Sequence, residues 1–361
     1  MAEKAMIAMS GGVDSSVAAL LMLERGYECV GATMKLFANG DSIVCEKTCG
    51  APDDAADAAA VAARLGMEHH LFDFAERFRK DVMAQFVDAY EKGRTPNPCV
   101  ECNRCLKFGG MIEKMHELGL DYVVTGHYAQ VVWDEKYGRF VLKKAVDGTK
   151  DQTYFLYTLT PEQLRHIRFP LGALEKSEVR RIAEDHGFVT AQKKDSQDIC
   201  FVPDGDYVGF IERFSGKNFP QGDFTDKEGN ILGTHRGIVH YTIGQRKGIG
   251  IAAGHPIYVC DIDTEHNRVV LGENKDLLTD TLTADRVNLI TCDTLTEPIR
   301  VLAKIRYRHK EQPATAWQTE DGLLHVKFDE PQRAVTKGQA VVLYQDDTVV
   351  GGGTIIDVGR I

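Results

Sequence analysis

Two groups of side chains in this 361-residue chain could do chemistry, and both are recognised by their spacing. Cys99, Cys102 and Cys105 form C-x2-C-x2-C directly after Pro96, Asn97 and Pro98. That spacing lets several thiolates converge on one metal centre, or lets one thiol be activated by another. Core packing does not explain three cysteines and two prolines in a polar setting, so a redox, metal-binding or nucleophilic role is expected. Zinc, an iron–sulfur cluster and a bare nucleophile all remain open on spacing. Cys200 follows Asp195-Ser196-Gln197-Asp198-Ile199, and Cys45 with Cys49 forms a further pair. Cys29, Cys260 and Cys292 read as small buried hydrophobes.

The second group is Ser10-Gly11-Gly12-Val13-Asp14-Ser15-Ser16. Two glycines permit a tight turn and close approach of a ligand, while hydroxyls and the N–H groups opening a helix suit an anion. The Gly-Lys-Ser/Thr ending of a Walker loop is missing, which disfavours γ-phosphate transfer. Asp14 or Ser15 could equally cap the helix.

The elements around these groups follow from hydrophobic periodicity. From Ala5 to about Tyr128, strand-like runs alternate with helical patterns, the signature of a parallel sheet covered on both faces. Strands are predicted at Ala5–Met9, Cys29–Met34, His69–Phe74 and Tyr122–Thr125. Helices carry Val17, Leu20 and Leu21, then Ala58, Val61, Ala62 and Leu65, then Phe78, Val82 and Phe86, then Phe108, Met111, Ile112 and Met115. Gly26 and Gly66 punctuate two helix ends, and Asp53 and Asp54 suit a helix start. Pro96 and Pro98 mark Gly93–Cys105 as a loop, the natural place for function. His69 and His70 read as strand-end residues with no metal role.

Further along, Trp133 and Phe140–Leu142 suggest a hairpin, short helical patterns reach about His186, and Gln192–Asp198 is polar and irregular. After about Gly205 short strand-like runs dominate, among them Arg300–Arg306, Leu323–Phe328 and Ala340–Leu343. Glu273–Thr281 looks like a linker. No internal repeat is visible. Three domains are expected, over residues 1–204, 205–277 and 278–361, in keeping with about 150 residues per domain.

Composition limits the function classes. Hydrophobic residues make up 43% and charged residues 27%, an ordinary globular balance that excludes a mainly disordered chain. No run of eighteen apolar residues occurs and residues 1–10 lack a secretory profile, so a cytoplasmic protein with no membrane contact is expected. Nine cysteines without an export signal argue against a disulfide framework. The formal charge of −10 rules out attraction of the whole molecule to nucleic acid, so phosphate binding must be local. Arg306, Arg308, His309 and Lys310, Lys193 with Lys194, and Arg246 with Lys247 are the local basic clusters; each could equally be a solvated face. Tyr241, Tyr307 and His127 are candidate base contacts.

The complete Ser-Gly-Gly-x-Asp-Ser string after a first strand resembles the pyrophosphate loop of the N-type ATP pyrophosphatases, which split ATP into AMP and pyrophosphate. Four further segments, Thr95 through Asn103, Asp195 through Phe201, Tyr241 through Gly250 and Lys150 through Leu156, stand in matching order. Together they resemble the bacterial tRNA-specific 2-thiouridylases, the MnmA or TrmU family. The resemblance implies an α/β PP-loop domain with a parallel sheet, a small central module and a C-terminal β-barrel-like domain. It implies an ATP-dependent tRNA-uridine 2-sulfurtransferase acting on the wobble uridine of Lys, Glu and Gln type tRNAs, with Mg2+ offsetting charge.

Residue by residue, the resemblance makes Cys102 the nucleophile and Cys200 the carrier of persulfide sulfur, with a disulfide between them after transfer. It places ATP at Ala8, Met9, Ser10, Gly11, Gly12, Val13, Asp14 and Ser15, with Met34 and Gly126 beside the nucleotide. It puts Asn97, Pro98 and Cys99 at the target base, and His127, Lys150, Asp151, Gln152, Arg306, Tyr307 and Gln345 against tRNA. Sulfur would come from a persulfide-carrying donor protein or from inorganic sulfide. Many relatives have Asp where this chain has Cys99, so that residue's role does not carry over, and Cys99, Cys102 and Cys200 could instead hold three irons of a [4Fe–4S] cluster. Another ATP pyrophosphatase, an amidotransferase or small-molecule ligase, is the alternative enzyme reading. A metal-dependent RNA-binding sensor without turnover is the alternative outside enzymes.

Overall fold

The computed structural model describes residues 2–38, 52–193 and 199–359. Cys45, Cys49 and the 195–198 stretch lie outside the described residues. The chain divides into two compact units. The first comprises Met1–Met83, Pro98–Asp206 and Asp347–Val349, and the second Ala84–Asn97, Tyr207–Asp346 and Val350–Ile361.

The first unit opens with β1 (Lys4–Ala8), α1 (Val13–Glu24), β2 (Glu28–Lys35), α2 (Pro52–Arg64) and β3 (His69–Asp73). A helical run follows, with α3 (Ala75–Phe78) passing into a π-helical turn at Arg79–Met83, after which α4 (Ala84–Glu91) belongs to the second unit. Back in the first unit come α5 (Pro98–Cys102), a π-helical segment Asn103–Gly110, α6 (Met111–Glu117) and β4 (Tyr122–Val124). The hairpin β5 (Gln130–Asp134) and β6 (Arg139–Lys143) precedes α7 (Thr153–Leu156), α8 (Pro161–Arg165), β7 (Ile167–Arg168) and α9 (Lys176–Asp185). The sheet has the order β3-β2-β1-β4-β7, with every pairing parallel. Ala5, Met6 and Ile7 are all fully buried, as a strand covered on both faces requires. Helix α1 packs Val17, Ala18 and Leu20 into the same core as Val61 and Ala62 of α2 and Val124 of β4. This is the α/β parallel-sheet domain that the alternating pattern predicts.

One expectation is corrected. Gly93–Cys105 is not a continuous loop, because helix begins at Pro98 and carries all three cysteines. Proline at a first helical position gives up an N–H that has no intrahelical partner there, and its fixed φ already suits the helix. Pro98 therefore starts the helix, and the irregular stretch ends at Asn97.

In the second unit, α10 (Tyr207–Ser215) packs on α4 through Phe86 and Phe210, whose ring centroids lie 6.0 Å apart, and through stacked Tyr90 and Tyr207 at 5.1 Å. A four-stranded sheet follows, built from β8 (Gly222–Thr225), β9 (Ile231–His235), β10 (Tyr258–Asp263) and β11 (Arg268–Gly272) in the order β10-β11-β8-β9. Phe224, Tyr241, Val259 and Leu271 form its core. The last six strands are β12 (Leu278–Leu289), β13 (Ile299–Lys304), β14 (Gln312–Gln318), β15 (Leu324–Arg333), β16 (Ala340–Gln345) and β17 (Thr348–Gly359). They run in the order β12-β15-β14-β13-β16-β17, and antiparallel pairing of β12 with β17 closes the ring. Closure removes the exposed edges an open sheet would present.

The expected linker at Glu273–Thr281 is also corrected. Asn274–Leu277 is a 3-10 turn capped reciprocally by Glu273 and Asp276, and β12 starts immediately at Leu278. Charged and polar residues suggested a linker there, whereas their side chains close a turn. Leu343 is fully buried inside the barrel. Leu343→Ala should destabilise the barrel by about 2–5 kcal/mol, the cost of lost burial plus a cavity, and move its urea transition accordingly.

Candidate active site

The turn after β1 lies at the carboxyl end of the parallel strands, where open α/β sheets bind ligands. Gly11 has φ +69°, and a Cβ there would fall 2.2 Å from the Asp54 carbonyl oxygen. Conformation and space therefore both demand glycine. Ser15 Oγ accepts from the Ser10 N–H at 3.2 Å and donates to the Gly12 carbonyl at 3.1 Å, pinning the turn across itself. Ser16 Oγ donates to the same carbonyl at 2.9 Å and meets Thr190 Oγ1 at 3.0 Å. Gly12 is the N-cap of α1 and brings no side-chain cap, so no N-cap side chain occupies the first-turn N–H groups. On the opposite wall, a Cβ at Gly126 would sit 2.7 Å from the Asp14 carbonyl carbon and 2.9 Å from the Ser15 nitrogen. The loop after β4 thus lies directly against the start of α1. Met9 is buried beneath the turn, its carbonyl accepting from Thr33 Oγ1 at 2.8 Å, and Met34 follows on β2.

Asp14 does not cap the helix. Lys176 Nζ reaches its two carboxylate oxygens at 2.7 and 2.8 Å, and Tyr128 donates its hydroxyl to one of them at 2.9 Å. Lys176 is buried and its ammonium lies 5.5 Å from the centre of the Tyr128 ring. Its own backbone is fixed from outside the helix, because buried Asp147 accepts the Lys176 N–H at 3.1 Å. The Thr149 hydroxyl on Asp147 holds that carboxyl below the usual range, with the Lys176 and Thr149 N–H groups adding to the effect. Lys193 closes the other side, donating to the Gly11 carbonyl at 3.0 Å and to Asp54 at 2.9 Å, and pairing with Asp57 at 2.5 Å. Lys176 and Tyr128 carry no motif that marks them in the sequence, and only folding brings residues 162 positions apart onto one carboxylate.

Cys102 ends α5 and is buried, while Cys99 one turn earlier is exposed and Cys105 is half-buried. Burial pushes the Cys102 thiol up to about 11; the Lys107 charge works against that rise, and Cys99 and Cys105 add to it. Burial raises Cys105 as well. Cys200 is half-buried, and its neighbour Phe201 sets its ring edge-on to Phe78 at 5.8 Å. The π-helical turn Arg79–Met83 that follows Phe78 packs on α5. The segments bearing Cys102 and Cys200 therefore rest on adjoining parts of one helix. Among the described residues no three Cys, His, Asp or Glu side chains are grouped to hold a metal ion. Within α5 the helix exposes Cys99 and buries Cys102.

The residues expected at RNA differ in setting. His127 is buried, with Nδ1 2.6 Å from Thr125 Oγ1 and its ring between Phe108 and Phe169. Burial, and then the Lys107 charge, hold it well below the usual imidazole range, so it is neutral. Asp151 is buried and accepts from the Ala145 N–H at 3.0 Å and the Thr153 hydroxyl at 2.6 Å. Gln152 Oε1 accepts from the Tyr128 N–H at 2.9 Å. These three shape the loops of the first unit, and Lys150 is half-buried beside them. In the second unit the Arg306 guanidinium donates to the carbonyls of Arg333 and Ala334 at 2.6 and 2.8 Å. The Lys304 ammonium lies 5.7 Å from the Tyr307 ring centre, and Gln345 donates to the Arg300 carbonyl at 3.1 Å. Gln339 donates to the Thr95 carbonyl at 2.8 Å, which anchors the strand of chain leading to Asn97.

A parallel sheet, a Ser-Gly-Gly turn into an uncapped helix and two appended β modules define an α/β protein of the HUP type. Family models agree over successive segments: a tRNA methyl transferase HUP domain over residues 3–204, a tRNA methyl transferase PRC-barrel domain over 208–273 and an aminomethyltransferase β-barrel domain over 279–355. The tRNA-specific 2-thiouridylase MnmA of Acetivibrio thermocellus is 51% identical over 355 residues, spanning 98% of this chain and 99% of that protein. The one from Clostridioides difficile is 49% identical over 355 residues, spanning 98% of each. The chain belongs to the MnmA family of tRNA-specific 2-thiouridylases.

The Asp14–Lys176 pair predicts a stability signature. Lys176→Met should cost about 2–3 kcal/mol in urea unfolding, less than a fully buried pair because the Asp14 side chain is 31% exposed. Adding Asp14→Asn should recover part of that loss. A second signature concerns pH. His69 is lowered by burial first and then by His70, and His127 is lowered further, so the folded state takes up fewer protons than the unfolded chain below about pH 6.5. Stability should be full above that pH and fall on acidification, by up to about 1.4 kcal/mol per pH unit from buried His127 and by less from the partly exposed His69. His127→Gln should flatten the slope in urea titrations between pH 7 and 5.

Proposed function

We propose that this chain uses ATP to replace the C2 oxygen of the tRNA wobble uridine with sulfur, through the two cysteines Cys102 and Cys200. The observation that carries the reading is identity near one half, along nearly the whole chain, to proteins named for tRNA 2-thiolation, joined to a phosphate-type turn in the same unit as both cysteines.

The uridine carbonyl lies between two nitrogens and is a weak electrophile, and its oxygen leaves poorly. Attack of that oxygen on the α-phosphorus of ATP makes it part of a leaving AMP and releases pyrophosphate. Gly11, Gly12 and the opening N–H groups of α1 suit the anion, and Lys176 and Lys193 place positive charge beside the turn. Ala8, Met9, Ser10, Val13, Asp14 and Ser15 complete the turn, with Met34 and Gly126 as its walls. Mg2+ usually binds through substrate phosphates and one or two carboxylates, so in this reading it arrives with the nucleotide.

Sulfur then enters from a persulfide on Cys200. The terminal sulfur bonds to C2 as AMP departs with the oxygen; Cys102 attacks the Cys200 sulfur, breaking the S–S bond and leaving sulfur on the base. The product is a Cys102–Cys200 disulfide, which two electrons from an external thiol must reduce before the next cycle. Asn97, Pro98 and Cys99 precede the attacking thiol by three to five residues and border the base in this reading. His127, Lys150, Asp151, Gln152, Arg306, Tyr307 and Gln345 contact the tRNA in this reading, His127, Asp151 and Gln152 also bonding within the loops of the first unit. The sulfur source is a persulfide-bearing protein or inorganic sulfide, and the compartment is the cytoplasm. Among the described residues no helix is long and apolar enough to cross a membrane.

Reconstitution with ATP, Mg2+, a protein persulfide donor, a thiol reductant and unmodified tRNA should yield 2-thiouridine by nucleoside mass spectrometry. Cys102→Ser and Cys200→Ser should each lower the yield on the order of 10³-fold. Thiolation surviving in Cys200→Ser would refute the relay. Lys176→Met should weaken ATP binding at least about tenfold by calorimetry, because the loss of one close charge is worth 1.4 kcal/mol or more.

A further inference from the structure

Asn103 follows Cys102 directly and is only 2% exposed. Half of its amide is accounted for. Nδ2 donates to the Phe155 carbonyl at 3.1 Å, a bond that ties the cysteine-bearing segment to α7 within the first unit. A peptide carbonyl only accepts, so the amide nitrogen has to face it and the identity of the other amide atom is fixed. That atom, Oδ1, is buried and finds no hydrogen-bond partner among the described residues. A buried carbonyl left unpaired gives up its hydration for nothing in return, and such groups are few in native proteins.

The acceptor stands beside a thiol that is itself buried. Whatever admits a base to the Cys102 sulfur brings it next to Asn103 as well. Uracil carries one donor on its pairing edge, the N3–H, and N3 is bonded directly to C2. Cytosine presents a lone pair at N3 instead. Sulfur enters C2 from above the plane of the ring, on the side where the Cys102 thiol meets the Cys200 persulfide. A hydrogen bond to N3–H lies in the plane of the ring, so the two groups have to stand near a right angle to each other. Adjacent residues diverge by about 100° around an α-helix axis and by somewhat less in a π-helix. Cys102 ends α5 and Asn103 opens the π-helical segment, so backbone geometry alone gives the pair that relation.

We propose that Asn103 is a specificity-determining residue, its side-chain carbonyl accepting the N3–H of the target uridine and so selecting uridine over cytidine at the wobble position. Cytidine would set its N3 lone pair against Oδ1 and leave both acceptors buried and unpaired, the circumstance in which a polar site discriminates best. The proposal deepens the reading of Cys102 as the thiol at the base and rests on it.

The test is the affinity of the full chain for fluorescein-labelled anticodon stem-loop RNAs, read by anisotropy with Mg2+ and α,β-methylene ATP present, so that no transfer occurs. The wobble base is uridine, 4-thiouridine, which keeps N3–H and alters position 4, or cytidine. The wild-type chain should bind the first two alike and cytidine about tenfold or more weaker. Asn103→Ala should bind uridine about tenfold weaker and cytidine unchanged, bringing their ratio near one. A partly unfolded variant lowers every affinity by the same factor, so the ratio still reports on Asn103. Equal wild-type binding of uridine and cytidine overturns the proposal, as does a penalty on 4-thiouridine as large as that on cytidine. A uridine preference undiminished in Asn103→Ala also overturns it, and assigns the buried carbonyl to a structural water. The expected binding pattern without 2-thiouridine on reconstitution counts against the proposed function, whereas thiolation with an undiminished preference in Asn103→Ala counts against Asn103 alone.

Discussion

The ion pair between Asp14 and Lys176 is the constraint on which the first unit's site depends. It joins the first turn of α1 to the start of α9, and Tyr128 adds the loop after β4 through a hydrogen bond to the same carboxylate. A charge brought in from water is costly unless each end is matched, and here Asp147 fixes the lysine backbone while both carboxylate oxygens receive the ammonium. The turn cannot drift without breaking several of these contacts together. Glycine at positions 11 and 126 then follows, because backbone occupies the space a side chain would need. Rigidity of this kind suits a site that holds a multiply charged leaving group, since donors fixed in advance need no reorganisation.

The cysteines answer to the opposite requirement. Cys102 is withdrawn from water and protonated in this state, while Cys99 on the same short helix is open to solvent. A buried thiol is protected from the oxidants that attack exposed thiolates. A π-helical segment follows Cys102, and burial keeps His127 neutral. The residues between Thr125 and Tyr128 touch the turn on one side, through Tyr128 and Asp14, and Lys107 on the other, through His127.

Much of the fold was legible in the sequence because burial leaves a periodic trace. The strands at Lys4–Ala8, Glu28–Lys35, His69–Asp73 and Tyr122–Val124 lie within a residue or two of the expected runs. The hairpin around Trp133 and the late strands fall where alternation put them. Local exceptions failed for a local reason. Pro98 suggested a break because proline removes a donor, yet at a helix start the missing donor costs nothing. Glu273 and Asp276 suggested a solvated connector, yet their carboxylates cap a turn. His127, Asp151 and Gln152 also bond within the loops of the first unit, and those partners are not readable from sequence, where a polar residue looks the same whatever it meets.

The sequence by itself determined the alternation of the first unit, the β-rich texture after residue 205, the glycine-serine turn and the spacing of its cysteines, because each is written in residues close together along the chain. Tertiary structure alone decided which lysine meets Asp14 and which thiol is buried. Those outcomes turn on electrostatic and solvation terms between groups distant in sequence, and such terms take values only once the chain has folded and excluded water.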